Sequence, residues 1–360
     1  MSAPTPMHDK SFYFSDGDVV LSAPGNSGDD EAIAVAIEAS NSNIIPIYSQ
    51  SPAAVVYFRI HKTLLTKQPS MFTDMFEVVN PSLSEQDLYD GVPLIALHDE
   101  ASHVRGFLRV LSKPETVFLP RYHHQSAELL MGPLLLAIKY QADALRDVIV
   151  LHLRADWPIN SYAAWKKRQW QEPKGFPGGT SPDPEPFIHL VRTTNTSELL
   201  RKHLALAFYA LLSRRPSTWR IDLLDAEDLN TLVAARCTIN AWLLTWIKED
   251  PGTYYFYGRK AQRKGPRLEI RQSECSCKLK EFKDEVLLDW MEHSLDHVDV
   301  IEYLEHLAVM VDANGYRWRF CNGNNCRSKA VSWIKEMARA FYDAMEEIIF
   351  SPIAPELHGN

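Results

Sequence analysis

The chain has 360 residues, 46% of them hydrophobic and 23% charged, the composition of a globular protein long enough for two domains. Lysine and arginine number 38 against 46 aspartates and glutamates, a net charge of −8, which argues against general affinity for nucleic acid or anionic membrane. No run of about eighteen apolar residues occurs, so no membrane span is expected, and five scattered cysteines fit free thiols in a reducing compartment, cytoplasmic or nuclear.

Residues 1–10 read as a disordered tail, and MSAPTPMHDK has neither the basic start nor the apolar core of a secretory signal. Phe12-Tyr13-Phe14 and Asp18-Val19-Val20-Leu21 read as short strands. Residues 22–54 are rich in Ser, Asn, Asp and Ala, with an acidic patch at 28–31. They form a long insertion between two strands, with a further strand expected at Ile44, Ile45, Ile47 and Tyr48. Val55, Val56 and Phe58 make an extended segment that enters a short helix through Ile60 and His61, and an amphipathic helix follows Pro69. Val92–Leu97 reads as a strand. A helix then carries Val104, Phe107, Leu108 and Leu111. Ser126 to His152 predicts two helices, one burying Leu130, Leu134, Leu135 and Ile138, the next Leu145, Val148, Ile149 and His152.

Six prolines and three glycines between 157 and 187 mark a connection. Beyond it the pattern is helical. Asn195 and Glu198 have capping-box spacing ahead of a stripe of Leu200, Leu204, Phe208 and Leu211. Asp225 opens a helix with Leu229, Leu232 and Val233 leading to Ile239, Leu243 and Ile247. Val331, Ile334, Ala338, Phe341, Met345 and Ile348 step by three and four along the last helix. No internal repeat occurs.

Three separated blocks carry a family resemblance. Phe58-Arg59-Ile60-His61-Lys62-Thr63-Leu64-Leu65, then Met71-Phe72-Thr73-Asp74-Met75-Phe76, resembles the BTB/POZ signature of a strand ending in F-x-x-H, then K-x-x-L and an F-x-x-M-F helix. Asp18-Val19-Val20-Leu21 is similar to the family's opening D-V-x-L strand. Leu134 to Tyr140, then Leu145, resembles its closing helix pair. In the second half, Leu200–Tyr209 and Glu227-Asp228-Leu229 with Ala235-Arg236 resemble segments of the BTB proteins of mushroom-type fungi, with Ala235 where those carry glycine.

The resemblance implies an α+β BTB/POZ-like domain of short strands and helical hairpins over 11–157, with its insertion at 22–54. A Pro/Gly-rich connection at 158–187, a helical domain over 188–350 and a tail at 351–360 complete the layout. Phe58, His61, Leu65, Phe72 and Phe76 carry the signature, His61 being expected as a packed histidine whose ring nitrogens bond backbone. Asp18 and Lys62 match positions that line a charged pocket at the dimer interface of some BTB domains. Two features depart from the pattern: the 22–54 insertion, and Leu108 to Pro114 in place of an aromatic F-x-Y-T.

The function implied is protein binding without catalysis. The BTB half would self-associate or serve as an adaptor on a cullin ubiquitin ligase, and the helical half would recruit another protein. A transcriptional co-regulator without direct DNA contact is a second reading, since the C-x2-4-C-x12-H-x3-5-H finger pattern is absent. A third is a zinc protein using Cys275, Cys277, Cys321 and Cys326, whose C-x-C and C-x4-C spacings supply four thiolates. Otherwise no cofactor is expected. His293 and His297 share a helix face, but Ser294 stands where H-E-x-x-H needs its glutamate, so they read as part of an acidic amphipathic helix. The basic stretch Arg259 to Arg267 reads as a solvated loop. No G-x-S-x-G, P-loop or G-x-G-x-x-G element occurs, so no catalytic residue is assigned.

Overall fold

The computed structural model describes residues 7–25, 54–67, 69–78, 88–119, 123–159, 162–170, 182–248, 254–256, 259–261, 279–294, 298–313 and 326–351. The fold is α+β. Two compact units divide the chain, and neither is continuous. The first comprises residues 1–156 and 167–196, the second 157–166 and 197–360.

The first unit is built on a mixed sheet in the order β1-β3-β2-β5-β4. Its strands are β1 (Met7–Tyr13), β2 (Val19–Gly25), β3 (Ala54–Ile60), β4 (Leu88–Tyr89) and β5 (Val92–Ala96). Val19, Val20 and Leu21 are successive buried residues. That is the mark of a central strand covered on both faces. β2 runs antiparallel to β3, setting Val19 opposite Ile60 and Leu21 opposite Phe58, and parallel to β5, setting Leu21 beside Ile95. The outer strand β1 pairs parallel with β3.

Residues 7–10, expected in a disordered tail, therefore belong to the sheet. The reason is Asp9, which is buried. Its Oδ1 accepts from the amides of Ser11 and Phe12, each at 2.9 Å, and its Oδ2 from Arg105 Nε at 2.6 Å. Two buried charges this close hold β1 to the helix layer. The expected insertion also narrows, because β2 runs on through Gly25 and β3 begins at Ala54. The strand expected at Ile44–Tyr48 lies outside the described residues.

The helices of this unit are α1 (Lys62–Leu65), α2 (Met71–Val78), α3 (Ala101–Ser112), α4 (Ser126–Lys139), α5 (Asp143–Asp156) and α7 (Pro184–Thr193). Between them in sequence, α6 (Tyr162–Trp170) straddles the border of the two units. α3 and α4 approach closely at small residues: a Cβ on Gly132 would lie 2.9 Å from His103 Cα. α4 and α7 both end in the left-handed cap in which two amides past the helix satisfy its last carbonyls. Gln141 (φ 54°) and Asn195 (φ 52°) occupy that position. Ala142 N then bonds Ala137 O at 2.8 Å, and Thr196 N bonds Val191 O at 3.1 Å. Asn195 thus closes α7 and is not the N-cap of a capping box with Glu198.

The second unit contains α8 (Ser197–Leu212), α9 (Ala226–Lys248), the β6–β7 hairpin (Tyr254–Phe256, Arg259–Ala261), α10 (Leu279–His293), α11 (Val300–Asp312), α12 (Cys326–Asp343) and α13 (Met345–Phe350). Arg259–Ala261, expected in a loop, is thus strand β7. Asp225 does open α9: its Oδ1 accepts from Asp228 N at 2.8 Å while Asp228 Oδ2 accepts from Asp225 N at 3.0 Å. This is a reciprocal capping box.

All six apolar positions expected of the last helix are buried, although the helix breaks at Ala344. Four other expectations of burial fail. Ile138, Val148 and Val233 are exposed, and Leu229 with them. On α5 the buried line runs Leu145, Ile149, Leu153, steps of four that rotate Val148 outward; on α9 it runs Leu232, Ala235, Ile239, Leu243.

At the centre of this unit the hydroxyl of fully buried Tyr209 donates to Asp299 Oδ1 at 2.7 Å and accepts from Ile301 N at 2.9 Å. Burial, then the Asp299 charge, pushes that phenol well up. Asp299 Oδ1 also accepts from Glu302 N, capping α11.

Candidate functional site

The residues singled out from the sequence gather in the first unit, at the end of β3. Phe14 to Gly17 form a turn, Gly17 N donating to Phe14 O at 3.1 Å. Gly17 lies so close to β3 that a Cβ would stand 2.9 Å from Ile60 N. Asp18 N then donates to Ile60 O at 3.0 Å, and Asp18 Oδ1 accepts from the backbone N of Lys62 at 2.6 Å. His61 sits at the N-cap of α1 with extended backbone angles but supplies no side-chain cap. The carboxylate of Asp18, reaching across from the residue before β2, does the capping instead.

Asp18 and Lys62 are thus brought together through carboxylate and peptide, not as an ion pair. The Lys62 ammonium stands 5.8 Å from the centre of the Phe76 ring, a cation–π distance. Asp18 is exposed and Lys62 half-buried, so the two do not line a closed charged pocket within this unit. His61 departs from expectation as well. Its side chain is half-exposed, its Nε2 lies 3.6 Å from Asp16 Oδ2, and its ring stacks on Phe14 at 6.1 Å.

The remaining signature positions divide: Phe76 is half-buried, and the other three are core. Phe58, Leu65 and Phe72 are buried. Phe72 packs on Tyr140 at 4.3 Å and near Phe107 at 6.2 Å, and Met71 N donates to Tyr140 O at 2.9 Å. Asp99 in turn accepts from Tyr140 Oη and from Lys139 Nζ, each at 2.6 Å. Burial and the Asp99 hydrogen bond raise the Tyr140 phenol far above its ordinary range, keeping it a donor. Three blocks far apart in sequence therefore share one core: β2 against β3, and α2 against the end of α4.

A surface cluster was missed from the sequence. Asp90 (φ 49°) and Gly91 (φ 76°) make the two-residue turn that joins β4 to β5. Two positive φ values in a D-G pair define the hairpin turn that suits twisted strands. Although β4 and β1 stand at opposite ends of the strand order, the hairpin reaches over to β1 and β3. Tyr89 stacks on Tyr57 at 4.3 Å, and its hydroxyl meets His8 Nε2 at 2.9 Å. His8 stacks on Tyr13 at 3.8 Å, and Tyr13 Oη donates to Asp90 Oδ2. Desolvation and the Asp90 carboxylate push the Tyr13 phenol up. His8 and Asp90 are exposed and the three tyrosines half-buried. The result is a ring-stacked aromatic surface with polar tips, the make-up of protein-contact surfaces. The D-G dipeptide was the readable signal. The parallel pairing of β1 with β3, which completes the cluster, has no local signature.

The zinc candidates Cys275, Cys277 and Cys321 lie outside the described residues, as does His297, while Cys326 opens α12. Among the described residues no group of three or more His, Cys, Asp or Glu could hold a metal ion. Among those residues, too, no helix is long and apolar enough to cross a membrane. Comparison with protein-family models, curated proteins and solved structures finds no match to this chain.

Proposed function

We propose that this chain is a non-catalytic protein-binding adaptor whose first unit works as a BTB/POZ-type module, in the cytoplasm or nucleus. The observation that carries the reading is the convergence of the three resembling blocks. The D-V-V-L strand lies in register against the F-R-I-H strand, with Leu21 opposite Phe58, and the F-T-D-M-F helix packs Phe72 on Tyr140 at the end of L-L-L-A-I-K-Y. Such convergence supports the reading, since a shared domain requires it.

The module binds through burial of aromatic and apolar surface, with charge selecting the partner. The His8–Tyr13–Tyr57–Tyr89 cluster is the surface best suited to that task. Its rings are already stacked, so little side-chain entropy is lost on contact. The partners are a second copy of the chain or a cullin scaffold, and the helical unit recruits a further protein.

Light scattering on the size-exclusion peak of the full chain, combined with affinity purification, tests the reading. A dimer, or retention of a cullin, is the expected result, weakened in Tyr57→Ala/Tyr89→Ala. A monomer over the whole accessible concentration range that retains no protein partner would remove the proposal.

A further inference from the structure

The connection between α8 and α9 carries a feature that the cores do not use. Residues 213–220 read Ser-Arg-Arg-Pro-Ser-Thr-Trp-Arg. Most hydroxyls and the indole of this segment are engaged. Ser213 Oγ donates to Ala210 O and Thr218 Oγ1 to Arg215 O, each at 2.8 Å, and Trp219 Nε1 donates to Leu211 O at 3.0 Å. Ser217 differs. It is exposed, and its hydroxyl has no partner among the described residues.

The backbone presents Ser217 openly. Pro216–Thr218 is a single 3-10 turn between Arg215 and Trp219, both in extended conformation. Three hydrogen bonds close the turn: Thr218 N to Arg215 O at 2.9 Å, Thr218 Oγ1 to the same carbonyl at 2.8 Å, and Trp219 N to Pro216 O at 3.2 Å. Opening it into an extended strand costs little, since so short a turn adds no side-chain burial: Pro216, Ser217 and Thr218 are all exposed. Arg215 is exposed and Arg214 half-buried, two and three residues before the free hydroxyl, and exposed Arg220 follows it.

We propose that Ser217 is a phosphoryl acceptor for a basophilic serine/threonine protein kinase. The two preceding guanidinium groups pair with carboxylates of the kinase substrate groove, a fork-to-fork match that fixes register as well as adding affinity. Ser217 Oγ attacks the γ-phosphorus of magnesium-bound nucleoside triphosphate. The new O–P bond replaces the bond to the β-phosphate oxygen, the nucleoside diphosphate leaves, and the hydroxyl proton passes to the kinase carboxylate base. The product adds about −1.5 to −2 charges among three arginines. Phosphate pairing with Arg215 and Arg220 then pins the turn and cancels the one basic cluster of this connection.

The full-length protein, incubated with the catalytic subunit of cyclic-AMP-dependent protein kinase and magnesium ATP, should gain one phosphate that peptide mapping places on Ser217. Ser217→Ala should lose it, with Ser213 and Thr218 serving as internal controls. Arg215→Ala should slow labelling about tenfold or more, the effect of a lost charge-assisted hydrogen bond, with the circular dichroism unchanged. A synthetic 210–222 peptide runs in parallel. Labelling of the peptide without the full chain overturns the claim that the folded turn presents Ser217. Labelling of neither overturns the recognition itself. Equal rates for Arg215→Ala and the parent chain overturn the role of the arginines.

Discussion

Replacing Asp18 by alanine isolates the contact on which the candidate site turns. In the structure Asp18 gives its carboxylate to one peptide N–H, that of Lys62, at 2.6 Å, and nothing ties it to the Lys62 ammonium. Loss of a side-chain cap costs about 0.5–2 kcal/mol. Asp18 is exposed, so water replaces part of the bond, and about 1 kcal/mol is the fitting figure. That corresponds to about fivefold more frequent opening of α1. Hydrogen exchange measured over residues 58–66 should show the Lys62 amide exchanging faster by this factor in Asp18→Ala, while Asp18→Asn, which keeps an acceptor oxygen, stays close to the parent. Lys62→Ala leaves the peptide N–H in place and should change exchange little. The double-mutant cycle between positions 18 and 62 should therefore close to within about 0.5 kcal/mol. A coupling well above that, or an unprotected parent amide at Lys62, would refute the capping role and restore an ion pair.

Three further outcomes follow from the geometry. Burial alone raises the Glu305 carboxyl, but Lys166 and Tyr162, each 2.5 Å away, outweigh it and hold its pKa below the ordinary 4.5. The stabilisation is therefore complete above the unfolded-state value and disappears as pH falls through the lower folded value. Exchange of residues 162–166 should rise on acidification below about pH 4.5, and Glu305→Gln should flatten that rise; matching profiles would contradict it. Gly132→Ala places a Cβ 2.9 Å from the His103 backbone and should cost about 1–3 kcal/mol in urea unfolding. Asn195→Ala forces a Cβ-bearing residue without a local polar bond to keep φ 52° and should cost about 1 kcal/mol, while Asn195→Gly stays near neutral. Equal loss in both Asn195 variants would argue for a role of the asparagine amide instead.

The sequence was most legible where one element decides its own fate. Asp225 caps α9 because the acceptor and the amide it needs lie three residues apart. The Val331–Phe341 part of the stripe is buried because each position obeys the one helical period of α12. It was less legible where a neighbour decides. Val148 satisfies a helical step from Leu145 as well as Ile149 does, and only the packing of α5 selects Ile149 and Leu153. Asn195 carries the side chain of an N-cap, yet the six-residue closure of α7 claims it first. Met7 to Lys10 look like a polar tail until Arg105, nearly a hundred residues on, supplies the charge that buries Asp9. The signature residues were found, but their roles shifted: Phe58 and Phe72 build the core, and Asp18 caps a helix.

The ownership of α7 bears on how the protein is made. Phe187, Ile188, Leu190 and Val191 are buried to within about a percent of completely, and they belong with the sheet-bearing unit although residues 157–166 have by then gone to the other. A ribosome that has released residue 156 has delivered the whole sheet but not the helix that finishes covering α4. That face stays open while a further stretch is translated, at about 5–20 residues per second for a matter of seconds. The nascent chain is thus exposed at a defined length, and a truncation at the end of α5 reproduces that interval permanently: it yields the nascent intermediate, not an isolated domain.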